Sequence, residues 1–168
     1  GCPKNQVDSD KLEGTLIADG LVAAQSADDA DVVVVNTCAF IEEARTESIE
    51  TILSLSEQRR DGAKLVVTGC MAERHGAELA AELPEIDQIA PFGVALAVGA
   101  PSSAVSVSLG PTRRAPDFDL LNLPRPASAR PWAYVKIAEG CDRACGFCAI
   151  PSFRGPQRSR SLDQILAE

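Results

Sequence analysis

Two short β-branched runs, Asp31-Val32-Val33-Val34-Val35-Asn36 and Lys64-Leu65-Val66-Val67-Thr68, constrain this chain more than any other feature. Each reads as a buried strand of a parallel sheet. Between them, residues 40–60 place Ile41, Ala44, Ser48, Ile52 and Leu55 at helical spacing. Residues 72–83 repeat the theme with Ala72, Leu79, Ala80 and Leu83, and Pro84 stops that helix. Residues 8–23 give a weaker helix through Leu12, Leu16 and Ile17. Strand and helix alternating at this spacing mean βαβ units, hence an α/β fold on a parallel sheet, with a first domain over residues 1–100.

The chain has 168 residues and 45% apolar side chains, enough for a buried core. Aromatics are only 4%, so that core is built from Val, Leu, Ile and Ala. There is no apolar stretch of membrane-spanning length and no basic-then-apolar leader. Residues 101–131 change character: Pro101, Pro111, Pro116, Pro124, Pro126 and Pro131 fall here, and each lacks an amide donor and disfavours helix before it. This is a connector, with room for a short strand at Val105–Leu109. After it, Trp132-Ala133-Tyr134-Val135-Lys136-Ile137 alternates and opens a second domain, residues 132–168. Ser161 and Gln164 have the spacing of a helix capping box. The chain opens on Gly1-Cys2 and stops just after that helix start, which reads as an excerpt of a longer protein.

Charge is uneven. Residues 1–120 hold 9 basic and 20 acidic side chains, and residues 121–168 hold 7 and 4. An acidic first domain is a poor electrostatic match for a polyphosphate.

The chemistry lies in where the cysteines fall. Cys38 follows the first strand with only Thr37 between, and Cys70 follows the second with only Gly69 between. In a parallel βαβ sheet such turns lie at the carboxyl edge, where ligands bind. Cys2 precedes the weak first helix and takes the equivalent position if a strand comes before Gly1. Three thiolates then converge, which suits a [4Fe–4S] cluster with one open iron or an incomplete zinc site. The lone histidine, His75, is either a fourth ligand or a solvated or capped helix side chain. The bland alternative for the cysteines is that they are small buried hydrophobes. Disulfides suit short secreted chains better than this one.

A second group is tighter. Glu139-Gly140-Cys141-Asp142-Arg143-Ala144-Cys145-Gly146-Phe147-Cys148 is a C-x3-C-x2-C loop after an expected strand. Three thiolates this close can hold three irons of one cubane and leave the fourth open to chelate a methionine. Phe147 either covers the cluster and a bound adenine or simply packs. Arg154, Arg158 and Arg160 read as a solvated basic face or as contacts to a substrate.

These residues resemble the radical S-adenosylmethionine enzymes, marked by C-x3-C-x-aromatic-C. Gly1-Cys2-Pro3-Lys4-Asn5, Asn36-Thr37-Cys38 and Thr68-Gly69-Cys70 resemble the methylthiotransferases among them, over essentially the whole chain. Pro3-Lys4 and Ile150-Pro151-Ser152-Phe153-Arg154-Gly155 look like the branch that modifies ribosomal small-subunit protein S-twelve. The resemblance implies a parallel-sheet methylthiotransferase domain followed by the start of a radical S-adenosylmethionine partial (β/α) barrel. It implies two [4Fe–4S] clusters, one on Cys141, Cys145 and Cys148 and an auxiliary one on Cys2, Cys38 and Cys70, with S-adenosylmethionine as co-substrate. It further implies a cytoplasmic transferase that adds CH3S to an aspartate β-carbon of the ribosomal protein, served by an electron donor and a sulfur donor. Nucleic acid would enter only through a C-terminal domain that this excerpt lacks, and the excerpt alone is expected to be inactive. The same chemistry on a tRNA adenosine beside the anticodon is the nearest alternative. A non-catalytic iron–sulfur or zinc module is the alternative of another class.

Overall fold

The computed structural model describes residues 1–91, 120–123, 125–128 and 130–168. Most of the Pro-rich connector, including the strand expected at Val105–Leu109, lies outside the described residues. The elements run α1 (Pro3–Ala18), β1 (Val32–Thr37), α2 (Glu42–Gln58), β2 (Lys64–Gly69), α3 (Cys70–Glu82), β3 (Gln88–Ala90), β4 (Ala138–Glu139), α4 (Ile150–Arg154), β5 (Arg158–Ser159) and α5 (Leu162–Leu166). The chain is α/β and forms two compact units. One holds Gly1 and Ala24–Gly110, the other Cys2–Ala23 with Pro111–Glu168. A boundary drawn along the sequence near residue 100 keeps α1 with the sheet; the compact units put it with the C-terminal segment.

The first unit is a three-stranded parallel sheet in the order β1-β2-β3. Both expected strands form within a residue of the positions read from the sequence, and Thr37 pairs with Gly69. β2 is central and buried almost end to end, whereas β1, at the end of the order, buries alternate residues. A continuous valine run therefore serves a strand with only one covered face. β3 escapes sequence reading because three residues carry too little pattern. Ser48 and Ile52 are buried on α2, and Met71, Ala72 and Leu79 on α3. With Val35, Leu65, Val67 and Ile89 they make the aliphatic core that the low aromatic content requires.

In the second unit, α1 runs Pro3–Ala18 rather than 8–23. Proline is tolerated at its first turn because the amide there has no helical partner anyway. It ends early because the chain turns at Gly20, and the Leu21 N–H returns to the Leu16 carbonyl (3.0 Å). The strand expected at Trp132–Ile137 is displaced to Ala138–Glu139, which pairs antiparallel with Arg158–Ser159. Side-chain and isolated backbone donors take the carbonyls upstream instead. Arg125 bonds Tyr134 O (2.6 Å), Arg160 bonds Lys136 O (3.1 Å), and the Arg160 N–H bonds Ile137 O (2.9 Å). The capping box read at Ser161 and Gln164 is present and opens α5. No helix among the described residues is long and apolar enough to cross a membrane.

Leu65, 0% exposed on the central strand, tests this core. Leu65→Ala is expected to lower stability by about 2–5 kcal/mol in urea unfolding. Val22→Ala, at a position 92% exposed, changes it by less than about 0.5 kcal/mol.

Candidate metal centre

Each cysteine of the first group sits at or just before a helix start. Cys2 is the N-cap of α1, Cys38 lies four residues ahead of α2, and Cys70 is the first residue of α3. The positive end of a helix dipole favours negative charge at such a place. Because Thr37 and Gly69 are paired neighbours, Cys38 and Cys70 leave adjacent strands at the same level, the carboxyl edge anticipated from the sequence. Both are buried, 3% and 6% exposed. Ser48 fixes the first turn: its hydroxyl accepts from Cys38 N–H (3.1 Å) and donates to Ala44 O (2.7 Å). Thr37 ties the two strand ends, its hydroxyl donating to Thr68 O at 2.6 Å. Cys2 belongs to the other compact unit.

Glycine launches two of the cysteines. Gly69, with φ 93°, leaves no room for a Cβ, which would lie 2.7 Å from Thr37 N and closer still to Thr37 O and Asn36 Oδ1. Gly140, with φ 75°, meets the same limit, since a Cβ would lie 2.6 Å from Gly155 O and closer to Pro156 O. The close approach at Gly140 is what lets Cys141 N–H bond Gly155 O (3.1 Å) and close the base of the second loop.

Inside that loop Cys148 N–H returns to Cys145 O (3.1 Å), and Arg143 N–H points to Cys141 Sγ at 3.5 Å. Gln157 N–H bonds Asp142 Oδ1 (2.9 Å) across the base. Cys141 and Cys148 are half-buried and Cys145 exposed. Phe147 is 94% exposed, so ordinary packing does not account for it. His75 stands at a kink in α3, with its Nδ1 bonded to Glu78 Oε2 (2.9 Å).

The donor set suits iron–sulfur clusters: two threes of soft thiols, all six described and none in a disulfide. Among the described residues, no three Cys, His, Asp or Glu side chains are gathered into a group that could hold a metal ion.

Sequence reading missed a buried ionic cluster behind the second loop. Lys136 pairs with Asp8 and with Glu139 Oε2 (2.8 Å). Arg154 Nη1 pairs with Asp8 Oδ2 (2.7 Å) and Glu139 Oε2 (2.9 Å). Lys4 adds a bond to Glu139 Oε1 (2.8 Å). Burial pushes the Glu139 carboxyl up, but the Arg154 guanidinium and the Lys136 ammonium outweigh it and hold it well below the usual carboxylate range. Arg154 is thus neither a solvated basic residue nor exposed to a substrate, and Arg160 is spent on carbonyls and Glu168. The only available signal was an acidic and a basic residue, Asp8 and Lys11, on the apolar face of a helix, which reads as poor amphipathicity.

Residues 1–91 match the family described as Uncharacterized protein family UPF0004. The chain belongs to the UPF0004 family. Its UPF0004 match spans β1–β3 and α1–α3, with Cys2, Cys38 and Cys70 inside it. Over all of its length the chain is 46% identical to the ribosomal protein uS12 methylthiotransferase RimO of Myxococcus xanthus and 48% identical to that of Anaeromyxobacter sp. (strain K). It is 42% identical to the protein of the same name from Thermotoga maritima. The chain covers 36%, 36% and 39% of those three proteins, a little over a third of their length.

The glycines can be tested directly. Gly69→Ala and Gly140→Ala are each expected to cost more than about 2 kcal/mol, from left-handed strain plus overlap with backbone atoms. Gly62→Ala has a similar φ of 81° but open space, and is expected to cost only about 1 kcal/mol. Urea unfolding of the three variants measures the difference.

Proposed function

We propose that the protein carrying this chain methylthiolates an aspartate β-carbon of ribosomal protein uS12, with two [4Fe–4S] clusters and S-adenosylmethionine. The observation that carries this reading is identity of 46–48% across the entire chain to proteins named as uS12 methylthiotransferases. The cysteine pattern supports it independently, because two groups of three thiols each leave one iron without a protein ligand. When bound, the clusters and S-adenosylmethionine supply a radical able to open an unactivated C–H bond and a sulfur to install there.

Within this reading Cys141, Cys145 and Cys148 hold one cluster and Cys2, Cys38 and Cys70 the other. Gly140 and the Cys141–Gly155 bond fix where the first loop begins. Phe147, exposed beside Cys148, is available to cover S-adenosylmethionine. Helix starts at Cys2 and Cys70 favour an anionic cluster at the auxiliary site. Along the sequence the first domain is residues 1–100, the connector 101–131, and residues 132–168 begin the radical S-adenosylmethionine domain, with α1 grouped compactly with that last segment. The enzyme works in the cytoplasm beside its ribosomal substrate, with a reducing electron donor and a sulfur donor. The net acidity of residues 1–120 favours a basic ribosomal protein over a phosphate backbone.

Two measurements test this. In the complete protein, Cys141→Ala is expected to abolish S-adenosylmethionine cleavage, whereas Cys38→Ala leaves cleavage measurable and stops methylthiolation. Full methylthiolation by both variants would refute the two-cluster assignment. Mass spectrometry of ribosomal proteins from a strain lacking the gene, with and without the gene restored, is expected to show a gain of about 46 Da on uS12, the CH3S group less one hydrogen. An unchanged uS12 with a newly methylthiolated tRNA adenosine would replace the substrate assignment.

A further inference from the structure

Burying ions is costly unless every charge finds a partner. In the Cys2–Ala23 and Pro111–Glu168 unit, the side chains of Asp8, Lys136, Glu139 and Arg154 are all at most 8% exposed, and all four are paired. Three of the four flank the Cys141–Cys148 loop. Lys136 and Glu139 lie on the segment that enters it, and Arg154 ends α4, which leaves it. Of these four, Asp8 alone comes from elsewhere, 128 residues from Lys136 and 146 from Arg154; Lys4, on the same helix but part-exposed, adds a second link, to Glu139 Oε1.

We propose that Asp8 is a positioning residue for the cysteine loop, its carboxylate fixing the entering and leaving segments together through Lys136 and Arg154. The path is continuous. One Asp8 oxygen takes Lys136 and the other takes Arg154. Both cations also hold Glu139 Oε2, while Glu139 Oε1 accepts the Gly140 N–H at 3.0 Å. Gly140 packs on Gly155 and Pro156, next along the chain from Arg154, and Cys141 N–H bonds Gly155 O. Glu139 could be satisfied by the loop's own flanks. Asp8 instead anchors them to α1, a 16-residue helix whose N-cap position is Cys2. Apolar packing does not do this job, because Phe153 is the sole buried apolar side chain among the described residues of these flanks. Groups that hold metal-ligating residues from behind typically change metal affinity or activity by about 10–100-fold when removed.

This inference rests on the reading that Cys141, Cys145 and Cys148 hold a cluster. The test uses the complete protein with Cys2, Cys38 and Cys70 changed to Ala, leaving only that cluster. Iron content and the electron paramagnetic resonance spectrum of the reduced protein are measured, with S-adenosylmethionine titrated in. A parent that binds no iron overturns the cluster reading and this inference with it. Otherwise Asp8→Asn is expected to displace the g values and weaken S-adenosylmethionine binding about tenfold or more. Asp8→Asn leaves one buried cation in excess, so Asp8→Asn with Lys136→Met restores the charge balance. That pair is expected to regain thermal stability while keeping the displaced spectrum. Recovery of the parental spectrum in the double variant would mean that charge balance alone mattered, and would overturn the inference. Asp10→Asn, on the same helix and paired with Arg125, is expected to leave the spectrum unchanged. An equal shift there would trace the effect to a loosened α1 and equally overturn it.

Discussion

The second compact unit depends on the pairing of buried charge. Its described buried apolar side chains are few, Val7, Leu12, Leu121 and Phe153 among them. What α1 presents alongside Val7 and Leu12 is Asn5, Asp8 and Lys11. Lys11, fully buried, donates to the Leu121 carbonyl at 2.7 Å, and Asp8 gathers Lys136 and Arg154. Hydrophobic burial is non-directional, whereas ion pairs of this kind work only at one relative placement of their members.

The first unit is organised by the opposite means. β2 is covered on both faces, and Leu65, Val66 and Val67 are almost without exposure. The sheet needs no buried ion to fix its register, because paired backbone groups and aliphatic packing do so. Its carboxyl edge is made polar only at the last step, by Thr37, Ser48 and the two cysteines. The two units share one local device. In each, a glycine with positive φ precedes a cysteine and touches backbone that any side chain would strike. Gly69 brings β2 against Thr37, and Gly140 brings the second loop against Gly155. A cysteine launched from such a glycine has its backbone direction set by the neighbouring chain as well as by its own sequence.

Much was legible in advance. β1, β2, α2, α3 and the α5 capping box follow from periodicity and capping, which are local. The expectation for the cysteines rests on the same kind of local fact: Cys38 and Cys70 each follow a strand, and Cys141, Cys145 and Cys148 lie within eight residues of one another. The errors have equally definite causes. α1 looked weak because its buried face carries charge, and a hydrophobic pattern cannot distinguish a buried ion pair from a solvated side chain. The strand expected at Trp132–Ile137 alternates correctly, yet Arg125 and Arg160 occupy carbonyls that a neighbouring strand would have used.

The sequence by itself therefore determined the α/β class and the parallel pairing, because the strand and helix periodicities that carry them are local to each segment. Only the tertiary structure decided that Asp8 meets Lys136 and Arg154 and that α1 belongs with the C-terminal segment. It alone decided, too, that Gly69 and Gly140 lie against foreign backbone. Those outcomes join residues up to 146 apart in sequence. Their energy comes from mutual desolvation and contact, which no single segment carries before the chain has folded.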